Sequence, residues 1–410
     1  MADRRTVLGS LAAVSVSAMA GRTSAATAGV RPFRVAIDDG TLDWVSTRVR
    51  QARPPVLARG TGSTYGVDAD WFAQLLAYWR HGYDWRQQAQ AINRLPQFTA
   101  DVMGRRLHFV HQRSTKADAR PLLLLHGWPY SFWTFSEVIA PLARDFHVVV
   151  PSLPGFGFSD PIDDQPRGLR AISQHIHALM TRTLGYDRYF VQGSDFGAVI
   201  ADWLAMDVPD ALLGEQTNLL AFRHAGAGYG KGTTGLDHPT PAEERFVADE
   251  KANFEKESAY FMLQATRPET LAYAMADSPV GVAAYLLDKW QRWTDTRERT
   301  LDQIYGRDRL LTEVMLYAAT GRFATSIWPY AGFAQEPFSI AKGTTIDVPF
   351  GLSAYPDPLN HPPPREFAAH SRSHIVQWEV TERGGHFPAL EDPARFVERF
   401  RAFAAVVRGE

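Results

Sequence analysis

Arg188-Tyr189-Phe190-Val191-Gln192-Gly193-Ser194-Asp195-Phe196-Gly197-Ala198-Val199-Ile200 is the stretch from which the rest of the chain can be placed. Residues 189–192 are a short β-prone run, and residues 198–206 are helix-prone. Between them an aspartate stands with a glycine two positions to either side. A strand that turns directly into a helix crowds the backbone around the turn, and only small residues fit there. The residue at the tip is strained and presented outward. Asp195 therefore has two readings: a nucleophile displayed at the end of a strand, or an N-cap of the next helix.

The neighbouring segments favour the first reading. Residues 122–125 are a buried strand with no alternation, and they end in His126-Gly127-Trp128-Pro129. Residues 146–150 form a second strand, leading into the loop around Gly155. Helices are expected over about 132–143 and 169–184. Beyond residue 335, strands are expected at 345–350 and 375–380, then an amphipathic helix over 393–407. Strands alternating with helices at this spacing imply a mostly parallel, doubly wound α/β sheet. Reactive groups in such sheets gather at the carboxyl ends of strands. Asp195 and Trp128 both fall there. The backbone N–H groups of Trp128 and Phe196 can form an oxyanion hole, with His126 orienting the first of these loops. His386, in Gly384-Gly385-His386-Phe387 after the last strand, is the candidate base.

Residues 221–335 interrupt this core with a long helical stretch rich in Tyr and Trp, which reads as a lid over the strand ends. Residues 29–120 read as a separate N-terminal unit. Leu42, Val45, Val49 and Ala52 recur at helical spacing until Arg53-Pro54-Pro55 stops them, and 68–85 carries a second helical pattern. Runs 97–102 and 107–111 form a hairpin around Gly104. His108 and His111 lie three apart on a strand, face opposite ways and read as structural. Residues 1–28 read as an export signal. Arg4-Arg5, a mildly apolar run over 6–20 and Ala26-Thr27-Ala28 follow a twin-arginine pattern, apart from Asp3 before the pair. The run is too short, and too interrupted by Gly9, Ser10, Ser15 and Ser17, to span a membrane.

Composition narrows the function. A chain of 410 residues, 45% hydrophobic, can bury a large core. A net charge of −2 leaves no footprint for nucleic acid. With no cysteine, disulfides, thiol chemistry and cysteine metal sites are excluded.

Together these motifs resemble the epoxide hydrolases of the microsomal type, within the α/β-hydrolase superfamily. The marks are Gly82-Tyr83-Asp84-Trp85, His126-Gly127-Trp128-Pro129, Gly193-Ser194-Asp195-Phe196-Gly197, Asp277-Ser278-Pro279-Val280-Gly281 and Gly384-Gly385-His386-Phe387. The resemblance spans about Phe33 to the C-terminus. It implies an N-terminal epoxide-hydrolase region over 29–120, a core over 121–220 and 336–410, and the lid between them. It implies Asp195 as nucleophile, His386 as base and two lid tyrosines that hold the oxygen of a small-molecule epoxide, without cofactor or metal. Tyr260 matches the first by its Tyr-x-x-x-Gln-x-Thr-Arg-Pro context. Tyr330 matches the second, although Trp328 and Pro329 depart from the pattern around it. The orienting acid is implied in Tyr355-Pro356-Asp357-Pro358, where the carboxylate comes one residue early and a proline fills its usual place. Asp357 either orients His386 or caps its own turn. Glu366, Glu379 and Glu382 are poorly placed, and the strand near Thr217 offers only Asn218.

Two other functions share these motifs. A haloalkane or haloacid dehalogenase uses the same Asp–His–acid set, commonly with Trp where this chain has Phe196. A relative without catalysis would bind an apolar ligand under the lid.

Overall fold

The computed structural model describes residues 29–58, 60–333, 335–336 and 339–409. The expected export signal lies outside these residues. A single nine-stranded sheet organises the chain, in the order β1-β2-β3-β5-β4-β6-β7-β8-β9. Its strands are β1 (Arg31–Phe33), β2 (Gln97–Val102), β3 (Arg105–Gln112), β4 (Arg120–Leu125), β5 (Phe146–Pro151), β6 (Tyr189–Gly193), β7 (Leu212–Thr217), β8 (Phe350–Ala354) and β9 (Ile375–Val380). From β5 to β9 every pairing is parallel, and β1 to β3 add antiparallel strands at one edge. This is the doubly wound α/β-hydrolase sheet that the alternation of segments predicts.

The N-terminal region is less separate than its sequence suggests. Its helices, Asp39–Gln51, Ala69–His81 and Trp85–Ile92, bury Val45, Leu75 and Ile92 in the same hydrophobic core as the sheet. Its hairpin joins the core sheet, with Phe109 opposite Pro151 and Val110 opposite Val150. An edge strand pairs through its backbone, which no side-chain pattern announces. His108 and His111 are structural here. The first ring contacts Ser152 and Gln97 and the second Tyr186, at 2.9–3.1 Å, and burial holds both rings well below the usual histidine range.

Two segments differ from expectation. Residues 132–143 form a 3-10 turn (Phe132–Phe135) and a four-residue helix (Ile139–Leu142) instead of one helix. All four residues of Phe132-Trp133-Thr134-Phe135 are buried, so no amphipathic helix face exists. The strand expected at 345–350 is instead β8, beginning at Phe350. Gly351 weakens its β signal, yet Phe403 packs where a side chain on that residue would stand.

Between β7 and β8 lie the lid helices, Pro241–Glu257, Ala259–Thr266, Pro268–Ala276, Pro279–Trp293, Leu301–Ile304, Arg307–Ala318 and Phe323–Phe333. The first opens on a capping box, Thr240 with Glu243, and has a proline at its first position. A non-helical strap, residues 218–240, leads into it from β7. No helix among the described residues is long and apolar enough to cross a membrane.

Candidate active site

The turn after β6 is the elbow that Gly-x-Asp-x-Gly predicts. Asp195 adopts φ 53° and ψ −124°, a strained conformation for a residue with a side chain. A Cβ on Gly193 would overlap the Gly197 carbonyl, and one on Gly197 the Leu125 carbonyl of β4. The elbow therefore closes only with glycine at the first position and fits against β4 only with glycine at the second. Gly127, after β4, is required for the same reason: a Cβ there would overlap the Asp195 carboxylate.

The carboxylate itself is held on one side. Its Oδ1 accepts the N–H of Trp128 at 2.9 Å and of Phe196 at 2.7 Å. These are the two donors read as an oxyanion hole. The His126 ring accepts the Leu153 N–H at 3.1 Å through Nε2 and meets the Gly127 carbonyl at 3.0 Å through Nδ1. It is buried, and burial pushes its pKa down to about 4, so it ties the two loops as a neutral ring.

Asp195 Oδ2 is left facing His386, whose Nε2 lies 3.4 Å away. The other nitrogen, Nδ1, lies 2.8 Å from Asp357 Oδ2. The structure thus brings the early aspartate of Tyr355-Pro356-Asp357-Pro358 to the histidine. Asn218 instead accepts from Ser194 and Gln192 and donates to the Ser353 carbonyl, behind the elbow. Burial of His386 disfavours its charged form. The Asp357 charge, hydrogen bonds donated to both aspartates and the Asp195 charge outweigh it, and the ring is pushed up to about 10.

Across from Asp195 stand the two lid tyrosines. Tyr260 comes from the Ala259–Thr266 helix and Tyr330 from the Phe323–Phe333 helix, which pack on each other. Their rings are 5.9 Å apart at 82°. Trp128 stacks on Tyr260 at 5.4 Å and meets Tyr330 edge-on at 5.8 Å. Burial, and the negative charge of Asp195 nearby, raise both phenols well above their usual range, so each keeps its proton. The irregular residues beside Tyr330 do not displace it. Trp328 and Pro329 face a separate recess with Pro154 and Ile162.

Asp195, both tyrosines, Phe196, Val199, Leu219, Ala221, Phe261 and Phe333 enclose a cavity of about 70 Å³, closed by Tyr229, Leu359 and Asn360. Asp195 is the only charged residue lining it. A larger cavity, about 220 Å³, lies among the N-terminal helices and shares no residue with this site.

Sequence reasoning missed several supports. Asn360 donates to Asp357 at 3.0 Å and accepts from Tyr229 at 2.9 Å. Glu391 accepts the N–H groups of Phe387 and Asp295, both at 2.9 Å, and burial pushes its carboxyl up to about 7. The His386 N–H donates to the Trp293 carbonyl at 2.9 Å, so the base loop is tied to the end of a lid helix. An amide three residues past the acid and a glutamate five past the histidine were visible signals for the first two.

Fold and site define an α/β-hydrolase with an aspartate at the elbow, and comparison agrees. Residues 120–393 match the family described as alpha/beta hydrolase fold, and residues 30–135 match that described as Epoxide hydrolase N terminus. Epoxide hydrolase 1 of Sus scrofa is 30% identical over 92% of this chain and 89% of its own. The crystal structure of juvenile hormone epoxide hydrolase from the silkworm Bombyx mori superposes with TM-score 0.83 at 27% identity, covering 93% of this chain and 95% of that one. The Aspergillus niger epoxide hydrolase structure gives 0.79 at 30% identity, over 93% and 97%. The chain belongs to the epoxide hydrolase family.

Proposed function

We propose that this protein opens an uncharged, apolar-substituted epoxide with water to a vicinal diol, through an ester on Asp195. The observation that carries this reading is the Asp195 carboxylate. One oxygen is bound by two N–H groups, and the other is free to react beneath two protonated tyrosines.

In the first step Asp195 Oδ2 bonds to a ring carbon and the C–O bond of the epoxide breaks. The departing alkoxide takes a proton from Tyr260 or Tyr330 and is held by the other. In the second step His386 Nε2 takes a proton from water, and the hydroxide adds to the carboxyl carbon of Asp195. Oδ1 becomes the oxyanion, already within reach of the Trp128 and Phe196 N–H groups. Collapse expels the diol as its alkoxide, which takes the proton from His386 Nε2, and the carboxylic acid left on Asp195 gives its own proton to His386, restoring the resting carboxylate and imidazolium. Asp357 fixes the histidine tautomer and balances the imidazolium charge.

The raised pKa of His386 fits this order. With Asp195 ionised the ring holds its proton, and the first step needs no base. Esterification removes the Asp195 charge, one of the causes holding the ring up. The ring's hold on its proton weakens at that point, and the proton passes to the tyrosinate left by ring opening, which frees Nε2 to activate water.

The test is a single turnover in ¹⁸O-water with enzyme in excess. The label is expected in the peptide carrying Asp195, with unlabelled diol, and His386→Gln is expected to accumulate the ester by intact mass. Label in the diol alone would show direct attack by water and overturn the covalent reading.

A further inference from the structure

We infer that Asn360, held by Tyr229, is a positioning residue for the base in the second half-reaction. This rests on the two-step reading above. The acid arrives one residue early in its loop, with Pro358 exposed beside it. One backbone N–H and two side chains hold its carboxylate in place. Asp357 Oδ1 accepts the Leu359 N–H at 2.7 Å, and Oδ2 takes both His386 Nδ1 at 2.8 Å and Asn360 Nδ2 at 3.0 Å. The amide orientation follows from its partners: its N–H₂ must face the carboxylate, and its oxygen then faces Tyr229 at 2.9 Å. Burial raises the Tyr229 phenol far above its usual range, so it remains a donor.

The result is a one-way chain, Tyr229 O–H to Asn360 oxygen, then Asn360 N–H to Asp357. Each bond polarises the next. Tyr229 is fixed in turn. The Arg223 guanidinium lies 5.2 Å over its ring, Phe254 meets it edge-on at 5.7 Å, and Glu250 holds both Arg223 and the Gly230 N–H. Asn253 of the first lid helix donates to the Leu359 carbonyl at 2.6 Å. The strap and the first lid helix thus hold the acid loop, and Tyr229 and Asn360 also close the substrate cavity. No hydrogen bond in this chain reaches Asp195 Oδ2 or the lid tyrosines, and its polar effect falls on the step that needs the base.

The experiment uses the full chain and the uncharged terminal epoxide that the wild type turns over fastest, chosen from a panel running from propylene oxide to styrene oxide. Ester formation and ester hydrolysis are followed separately by quenched-flow and intact mass. Asn360→Leu is expected to slow hydrolysis about tenfold, the size of one hydrogen bond to a charged group, and to change ester formation by much less, although Asn360 also borders the cavity. kcat and KM then both fall, each by more than kcat/KM changes. Tyr229→Phe should act in the same direction by about threefold. Hydrolysis at the wild-type rate in Asn360→Leu overturns the inference. So does an equal loss in both half-reactions with KM unchanged, the signature of a merely structural role. Should Asn360→Leu fail to fold, Tyr229→Phe, which deletes one oxygen, decides by the same readouts. Absence of any ester in His386→Gln would instead overturn the covalent reading and is seen separately.

Discussion

Asp195 and Asp357 flank the same histidine and are held in place by opposite means. Asp195 is fixed by its own backbone: a strained turn with a glycine on either side, one crowded by the turn itself and the other by β4, so that neither can carry a side chain. Asp357 is fixed by hydrogen bonds, from the Leu359 N–H and Asn360 close by and from the remote His386, with Tyr229 behind Asn360. A backbone-built position is written in contiguous residues and fails by steric overlap. A position built from side chains is scattered over the sequence and fails one hydrogen bond at a time.

The sharpest way to test this contrast is Asp357→Asn. Its amide can offer an N–H to His386 where the carboxylate only accepts, which stabilises the wrong tautomer. Ester hydrolysis should fall on the order of 10⁴-fold, as in the corresponding change to a Ser-His-Asp triad, with the fold intact. Quenched-flow rates and a thermal melt check both halves of the expectation. An unchanged rate would reduce Asp357 to the cap of its own turn.

At the elbow the same logic predicts the opposite outcome. Gly197→Ala places a methyl group against the Leu125 carbonyl in a buried strand pair, and should cost about 3 kcal/mol or more of stability. Urea unfolding measures it. A midpoint equal to wild type would show that the elbow can relax, and the contrast would lose one of its terms.

The mildest change is expected at Pro358. If side chains hold the acid, Pro358→Ala should lower stability by no more than about 1 kcal/mol, through the unfolded chain, and leave ester hydrolysis unchanged. A large loss of hydrolysis would mean that the proline itself aims the carboxylate, and that both aspartates are backbone-built after all.

The same division explains what the sequence could show. Buried parallel strands were legible because runs such as 122–125 and 148–150 have no polar residue to confuse them. The elbow and the Gly-Gly-His loop were legible because close packing demands glycine at fixed positions. The edge strands of the N-terminal region gave a hairpin signal but no sign of the partner they would take. Gly351 concealed the start of β8 because the residue that fills its space, Phe403, lies on the last helix. Around Asp357, the residues that place the carboxylate are separated from it by up to 128 positions, and no local pattern relates Tyr229 to Asn360.

The pair of N–H groups from Trp128 and Phe196 has one more consequence. They point at an atom of the enzyme. In the proposed cycle the epoxide oxygen goes to the tyrosines, on the far side of the pocket, and never enters that pair. The donors see the same carboxyl group whatever molecule has been attached to it. Recognition and turnover are thereby divided between two walls of one cavity: the lid side chooses which epoxide is admitted, and the sheet side processes every ester alike. Natural variation or engineering directed at Phe261 or Phe333 can alter what is accepted without rewriting how it is released.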